Sequence, residues 1–354
     1  MAGSDMLSGK PPRTAPDVLR AHLLAGQVIP AHPLALTAQR TLDEARQRGL
    51  TRYYIDAGAG GVAVAVHTTQ FAIRDLQHAL LRPVLELAAD TARARRADPT
   101  KPFVLVAGAI GGTRQAVAEA ELAASLGYDM VLLGLGALRD ASDDALIAHC
   151  RAVSEVLPLF GFYLQPAVGG RVLGYDFWRR LAENDRVWAI KIAPFNRYRT
   201  LDVVRAVTDA GRDDLALYTG NDDNILADLL TPFPVRASSG ATTRYIVGGL
   251  LGQWAVWTRG AVRLLERVRA VRSGTAPVGE LTQLLRLNAA LTDANSAIFD
   301  AAHDFAGCIP GIHEVLLRDG LLEGTWCLDP AETLSPGQMA EIERVERWYG
   351  ELRD

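Results

Sequence analysis

The chain has 354 residues, of which 49% are hydrophobic and 22% charged, so it is long enough to bury a large core. Its 37 basic and 41 acidic residues leave a net charge of −4, without the basic cluster that nucleic-acid binding requires. The apolar runs are of strand length or are broken by glycine and arginine, which excludes a transmembrane helix. The start of the chain has no apolar signal core. The three cysteines, Cys150, Cys308 and Cys327, fit neither a disulfide framework nor a zinc site. We therefore expect a cytoplasmic protein with no nucleic-acid or membrane partner.

Strand-like and helix-like segments follow one another along the chain. Residues 1–25 are predicted to form a loose arm and a short helix, Pro16–Ala25, which stops at Gly26. The predicted strands are Val28–Leu36, Gly61–Val66, Phe103–Ile110, Met130–Leu135, Leu159–Leu164, Val187–Ala193, Leu215–Thr219 and Tyr245–Leu250. The amphipathic stretches between them are predicted helices: Thr41–Ala57, Leu76–Arg95, Thr113–Leu126, Ser142–Val156, Tyr175–Asn184 and Thr200–Gly211.

This alternation of eight strands with helices predicts an α/β fold, a (β/α)8 TIM barrel over residues 26–274. A doubly wound open sheet shares the alternation, but it commonly carries a glycine-rich turn after its first strand. The corresponding turn here reads HPLALT and contains no glycine, which favours the barrel. Beyond residue 274 the pattern is purely helical, over Val278–His303, Ile312–Arg318 and Pro336–Leu352. We expect residues 275–354 to form a C-terminal helical region packed on the barrel.

Lysine is scarce in this chain, because only Lys10, Lys101 and Lys191 are found among its 37 basic residues. Alternation along Val187–Ala193 places Lys191 on the same face as Ala189, which we interpret as the inner face of the barrel. Chemistry in such barrels takes place at the carboxyl ends of the strands. Burial lowers the pKa of an amine and makes it a nucleophile toward carbonyl groups. A structural pairing with an inward carboxylate is the alternative, but the scarcity of lysine favours a Schiff-base role.

The neighbouring predicted strand supplies a second candidate, Tyr163. Alternation that places Tyr163 on the inner face also places Gly161 and Gln165 there, and the small Gly161 would leave room for a ligand. A phenol beside the lysine could transfer protons during bond cleavage. The alternative is a core tyrosine whose hydroxyl binds a backbone carbonyl.

The second predicted strand leads into His67, Thr68 and Thr69. Alternation turns His67 into the barrel mouth, where it either narrows the pocket or acts as an acid or base. The two threonines offer hydroxyls and turn amides suited to a carboxylate, although such a pair alone is weak support. His32 and His67 lack the nearby carboxylate that a third metal ligand would need, so we predict no metal.

Together these residues resemble the dihydrodipicolinate synthase and N-acetylneuraminate lyase family of class I aldolase-type barrels, from about residue 28 to the C-terminal helices. Tyr163 and Pro166 match the family's Tyr-x-x-Pro, and Lys191 falls 28 residues beyond Tyr163, as the family's Schiff-base lysine does. Three further segments match more weakly: Val28–Pro33, His67–Thr69 at the family's Gly-Thr-Thr, and Gly220–Asp222 at its Gly-Asp-Asp. The resemblance implies a homo-oligomer, dimer or tetramer, with no cofactor. It implies catalytic roles for Lys191, Tyr163 and Thr68, and substrate-binding roles for Thr69, Gln165 and Asn221; we add His67 as a substrate-binding residue particular to this chain.

The chain also departs from the pattern of the family. His67 replaces a glycine, and Val168 stands where the synthase has an arginine that holds the second substrate's carboxylate. The nearest arginine, Arg171, is displaced, and Leu135–Leu138 lacks the paired tyrosines of the synthase proton relay. We therefore expect a Schiff-base lyase or aldolase acting on pyruvate or a related 2-oxo acid, but not authentic dihydrodipicolinate synthase. A dehydratase or hydratase-aldolase for a sugar acid or aromatic substrate and a non-catalytic acid-binding barrel are the alternatives.

Overall fold

The computed structural model describes residues 15–95, 101–237 and 240–353, so the arm predicted over residues 1–14 lies outside the described residues. Within these ranges the strands are β1 (Val28–Pro30), β2 (Gly61–Val64), β3 (Val104–Ala109), β4 (Met130–Leu133), β5 (Leu159–Leu164), β6 (Val187–Ala193), β7 (Ala216–Thr219), β8 (Phe233–Ala237), β9 (Gly240–Arg244) and β10 (Gly248–Leu251). Eight of them form one parallel sheet in the order β1-β10-β7-β6-β5-β4-β3-β2. A bridge between Ala31 and Ala63 joins its two edges. The predicted (β/α)8 barrel is confirmed.

Nine helices of the described residues precede or follow the strands of the barrel. They are α1 (Pro16–Leu24), α2 (Glu44–Asp56), α3 (Leu81–Arg95), α4 (Thr113–Ser125), α5 (Asp143–Ser154), α6 (Tyr175–Ala182), α7 (Arg197–Asp209), α8 (Ile225–Leu230) and α9 (Thr258–Ser273). Three further helices belong to the C-terminal region: α10 (Glu280–Ile298), α11 (Cys308–Arg318) and α12 (Gln338–Trp348). Asp43, Ser142 and Asn196 cap α2, α5 and α7, because each side chain accepts a hydrogen bond from a first-turn amide.

The barrel is closed at both ends by segments outside it. At the amino ends of the strands, Leu19 and Leu23 of α1 pack into the apolar interior. Arg20 fixes α1 there by donating to the carbonyl of Asp185 and to the carboxylate of Asp214, which precede β6 and β7. At the carboxyl ends, side chains that follow α10 and begin α11 cover the strand exits. The open space of the barrel is thereby confined to the exits, where the site is found.

The antiparallel hairpin of β8 and β9 was not predicted. It lies between α8 and the last barrel strand; Pro234 lies within its first strand, and β9 is largely exposed. The expected eighth strand, 245–250, begins at Gly248 in the structure. The strand therefore starts three residues later than predicted.

Candidate active site

Lys191 projects from β6 into a cavity of about 90 Å³ at the strand exits. We call this the lysine cavity. Its polar lining consists of Lys191, His67, Thr68, Gln165, Asp222 and Cys308, and its apolar lining includes Phe162, Phe195, Phe299, Phe305 and Ile312. Phe299, Phe305, Cys308 and Ile312 come from the C-terminal region, so the segment that covers the barrel also completes the cavity.

The lysine stem lies over a position that only glycine can occupy without displacing it. A Cβ at Gly220 would stand 2.5 Å from Cε of Lys191 and 2.8 Å from Cβ of Ala193, well inside van der Waals contact. On the other side, Nζ of Lys191 lies 4.6 Å from the centroid of the Phe162 ring. The amine is therefore held between a bare backbone and an aromatic face.

The amine of Lys191 and the carboxyl of Asp222 shift each other's protonation. Burial lowers the pKa of Lys191 below its ordinary value, and the negative charge of Asp222 opposes this in part. Burial raises the pKa of Asp222, and the positive charge of Lys191 opposes that in part. The amide of Gln253 fixes the carboxylate by donating to Oδ1 at 3.3 Å. The pair can thus present a neutral amine beside a carboxyl that holds or releases a proton near neutral pH.

Asn221, predicted to bind substrate, does not line the lysine cavity. Its Oδ1 accepts from the amide of Phe195 at 2.9 Å, and its Nδ2 donates to Asp228 at 2.9 Å. It is buried and positions the loop that carries Phe195. Its neighbours Gly220 and Asp222 face the cavity, which corrects our choice within Gly-Asn-Asp.

Tyr163 does not face Lys191, and the prediction of its orientation is wrong. The side chain points toward α6, where its hydroxyl accepts a hydrogen bond from the amide of Leu173 at 3.3 Å and its ring lies 5.1 Å from that of Trp178. Phe162 faces the cavity in its place. Both faces of a barrel strand are buried, so the apolar pattern alone does not decide which face points inward. Gly161 also lies on the outer face, against α6.

The two threonines have different surroundings. Thr68 lines the lysine cavity, and its hydroxyl donates to the carbonyl of His32 at 3.3 Å. The hydroxyl of Thr69 donates to the same carbonyl at 2.7 Å and accepts from the amide of Val66 at 3.2 Å. Thr69 is fully buried and outside the cavity lining, so its hydroxyl closes the turn after β2 instead of meeting substrate.

His67 lines the lysine cavity, as its position predicts, and also borders a second cavity described below. Burial lowers its pKa from 6.5 to about 4, and the charge of Lys191 acts in the same direction. The imidazole is therefore neutral at neutral pH. Gln165 lies in the lining too, with its carboxamide available to a ligand.

Two other polar residues considered in the sequence are structural. His32 is buried, with one ring nitrogen 2.8 Å from the carbonyl of Pro33 and the other 2.9 Å from the hydroxyl of Thr51. Arg171 donates to the carbonyls of Leu138 and Ala141, so its guanidinium is already engaged. In the described part of the chain, no three His, Cys, Asp or Glu side chains are grouped to hold a metal ion. No described helix is long and apolar enough to cross a membrane.

A half-buried lysine at the carboxyl end of an inner strand defines this molecule as a barrel of the aldolase type. The sequence profile of the Dihydrodipicolinate synthetase family matches residues 25–269, and the chain belongs to this family. It is 28% identical over 197 residues to a 4-hydroxy-tetrahydrodipicolinate synthase of Acaryochloris marina, covering 52% of this chain but only 64% of that enzyme.

A second synthase of this kind, from Cyanothece sp., is 25% identical over 272 residues, covering 75% of this chain and 82% of that enzyme. Among solved structures, a prophage protein of the dihydrodipicolinic acid synthase family from E. coli K12, in complex with pyruvate, shares the fold with a TM-score of 0.72 at 19% identity. The alignment covers 91% of this chain and 98% of that protein. The low identities make this chain a divergent member.

Proposed function

We propose that the protein is a Schiff-base lyase of the aldolase type, in which Lys191 forms an imine with pyruvate or a related 2-oxo acid. The observation that carries the proposal is the amine itself. It reaches a small cavity at the strand exits, and burial lowers its pKa although the negative charge of Asp222 opposes this in part. A lysine retained only as the ion-pair partner of Asp222 would be expected to have its pKa raised by that carboxylate, whereas burial is the larger effect here and the pKa falls.

The size of the lysine cavity supports a small substrate. Its volume of about 90 Å³ is well below the roughly 300–1,000 Å³ of pockets for larger ligands. The related prophage protein from E. coli K12 was solved with pyruvate. Gln165 offers an amide donor for the carboxylate of such an acid.

The proposed chemistry follows from an electron sink at the imine. Nζ of Lys191 attacks C2 of the 2-oxo acid, and the carbonyl oxygen departs as water after it is protonated. In cleavage of a 4-hydroxy-2-oxo acid, the C4 hydroxyl loses its proton, the electron pair of the C3–C4 bond moves to the iminium, and C4 departs as an aldehyde. The enamine that remains is protonated at C3, and water hydrolyses the imine to release the 2-oxo acid. In condensation, C3 loses a proton to give an enamine, which attacks an aldehyde carbon, and the aldehyde oxygen is then protonated.

The proton transfers would fall to groups that line the lysine cavity. Tyr163 is turned away, so we assign these transfers to Asp222, His67 and the hydroxyl of Thr68. Asp222 can receive the proton that leaves the lysine, because burial raises the pKa of its carboxyl. His67 is a neutral imidazole that can accept a proton at neutral pH.

The test is borohydride reduction in the presence of pyruvate, followed by peptide mapping of the modified lysines. We expect a reduced pyruvate adduct at Lys191 and none at Lys101, which serves as an internal control in the same digest. Lys191→Ala should abolish both the adduct and turnover while the protein remains folded. Absence of an adduct at Lys191 across a panel of 2-oxo acids would refute the proposal. An adduct without turnover of any aldehyde or hydroxy acid would favour the non-catalytic binding barrel.

We also propose that the protein is not a dihydrodipicolinate synthase, despite its named relatives. Val168 lines the cavities where the synthase carries an arginine, and Arg171 is engaged by backbone carbonyls. Gly136 and Ala137 occupy the place of the tyrosine pair. The loss of a charge-assisted contact to a carboxylate costs about 1.5–3 kcal/mol, or roughly one to two decades in rate. Rapid condensation of pyruvate with aspartate semialdehyde would disprove this.

We propose further that the enzyme is cytoplasmic and acts as a homo-oligomer, dimer or tetramer. Light scattering on the purified protein gives the mass directly, and a monomer would contradict the expectation.

A further inference from the structure

A second cavity, of about 320 Å³, adjoins the lysine cavity on the side of β3 and β4. We call it the side cavity. Six side chains line both cavities: Val66, His67, Leu132, Phe162, Leu164 and Val168. An imine on Lys191 would therefore lie next to a space more than three times larger than the lysine cavity itself. Pyruvate bound at Lys191 would not need this additional space.

The lining of the side cavity is almost entirely apolar. Phe71 and Ile110 join the shared apolar side chains, and the only polar side chains in the lining are those of His67 and Arg139. Arg139 is exposed at the rim, and His67 is uncharged at neutral pH because burial lowers its pKa to about 4. The interior of the side cavity thus offers a substrate hydroxyl little to bind.

Two backbone acceptors at the border of the side cavity are already used. Nη2 of Arg74 donates to the carbonyls of Ala65 and Gly108 at 3.0 Å each, while its Nε binds the carboxylate of Glu119. Polyhydroxylated groups placed here would lose hydrogen bonds to water without replacing them, which is unfavourable. An apolar group would lose no hydrogen bonds to water and would gain apolar contact with the lining.

Glycines give the side cavity its width on the β3–β4 side. A Cβ at Gly134 would lie 3.2 Å from Ile110, and one at Gly136 would lie 2.3 Å from the carbonyl of Gly169. Gly111 adopts a positive φ of 86°, a conformation that favours glycine. The space is therefore built into the backbone and does not depend on flexible side chains moving aside.

We infer that the side cavity receives the non-reacting part of the substrate and that this part is an apolar group, aryl or branched alkyl, and not a sugar chain. The inference rests on the proposed Schiff base at Lys191. It names the aldehyde class: pyruvate would condense with, or be released from a product of, an aromatic or branched aliphatic aldehyde. C3 of pyruvate bonds to the aldehyde carbon, so no further reactant is needed.

The experiment compares aldehydes in condensation with pyruvate, followed by mass spectrometry of the 4-hydroxy-2-oxo acid product. We expect benzaldehyde and 3-methylbutanal to exceed D-erythrose in kcat/KM by at least about tenfold, the effect of burying one apolar group of that size. Equal use of the aldehydes, or preference for D-erythrose, would overturn the inference.

A pair of variants on one exposed turn tests whether the side cavity is responsible. Ala137→Trp adds an indole at the rim and should lower kcat/KM for benzaldehyde by about tenfold or more through loss of that burial. Asp140→Trp adds the same bulk on the same turn, where the residue is exposed and lines neither cavity, and should not. Unchanged use of benzaldehyde in Ala137→Trp would contradict the assignment.

The pyruvate adduct at Lys191, measured in every variant, separates the two possible failures. No adduct in the unmodified protein means that the proposed function is wrong. An adduct with no preference for apolar aldehydes means that the lysine chemistry stands and only the assignment of the side cavity fails.

Discussion

Strands β5 and β6 lie side by side in the barrel, and each carries one polar side chain among apolar neighbours. On β5 the hydroxyl of Tyr163 turns outward and accepts a hydrogen bond from the amide of Leu173. On β6 the amine of Lys191 turns inward and faces open space. The register pairs Lys191 with Phe162, so the residue beside the lysine on the inner face is a phenyl ring and not a phenol.

Burial acts on both groups with opposite signs. It raises the pKa of Tyr163, which keeps the phenol protonated. It lowers the pKa of Lys191, which favours the neutral amine. The tyrosine is satisfied by the backbone and stabilises the packing of α6. The lysine faces the cavity beside the carboxyl of Asp222, which fits the nucleophilic role that we propose for it. The difference teaches that the hydrogen-bond partner of a buried polar group, more than its residue type, indicates whether it serves the fold or the chemistry.

The largest effect that we predict is a loss of turnover on substitution of His67, which tests whether His67 transfers the protons that Tyr163 cannot. If Tyr163 transfers no proton, both His67→Asn and His67→Gly should lower turnover by about 10²-fold or more, the usual contribution of an acid or base. Because its pKa is lowered to about 4, the base form is present above that pH, and an acid limb near pH 4 should disappear in the variants. Steady-state kinetics against pH measure both.

A steric role for His67 gives a different result. His67→Gly would then retain turnover and accept a wider range of aldehydes, while His67→Asn would behave much like the unmodified protein. Unmodified kinetics and specificity in both variants would mean that His67 plays no part.

The next effect tests the placement of the lysine stem. In Gly220→Ala the new Cβ would lie 2.5 Å from Cε of Lys191, so the amine must move. A displacement of about 1 Å can cost about 10²-fold in rate, and we expect a loss of that order in the rate of pyruvate trapping. Gly174→Ala is the matched control, since a Cβ there would meet no atom within 4 Å. Equal rates in the two variants would show that the stem is not held in this way.

A third prediction concerns the pH dependence of trapping. The reactive form of Lys191 is the neutral amine, so the trapping rate should rise with pH and level off below the ordinary lysine pKa of 10.5. The charge of Asp222 raises the pKa of that amine. Asp222→Asn should therefore move the rise to lower pH. A rise at higher pH in this variant, measured by quenched borohydride reduction, would contradict the proposed coupling.

The fold could be predicted from the sequence because the alternation of strand and helix segments is strong and local. Strands β5 and β6 have the predicted bounds. The inner face of β5 could not be predicted in the same way, since neither of its faces carries a charged residue. The inner face of β6 could be predicted from Lys191, because its charged amine must reach the barrel mouth.

Other residues of the site were harder to predict, because the sequence patterns that indicate them are weak or lie far from β6 in the chain. Asp222 could have been chosen over Asn221, because it alternates with Gly220 and carries a titratable group. Ala65 has a positive φ of 62°, so the alternation of inward and outward side chains along β2 ends there. An alanine gives no indication of such a conformation in the sequence. Phe299 and Ile312 reach the lysine cavity from a region more than 100 residues beyond β6, which no local pattern indicates.

The smallest effect that we predict is that of Tyr163→Phe, and it tests the comparison between Tyr163 and Lys191 most directly. Tyr163→Phe removes one hydroxyl from the outer face of β5 and leaves the amide of Leu173 without its acceptor, which should lower the free energy of unfolding by about 1–3 kcal/mol. The rate of pyruvate trapping at Lys191 should not change. Phe162→Leu should instead shift the pH dependence of trapping, because it removes the ring whose centroid lies 4.6 Å from Nζ of Lys191. Since Phe162 is buried, a loss of stability should accompany this shift. Without the ring the protonated amine loses a favourable cation–π contact, so the pH at which trapping rises should fall. Denaturant unfolding and trapping kinetics on the two variants together decide the matter, and a large loss of trapping in Tyr163→Phe at unchanged stability would restore the tyrosine to the chemistry.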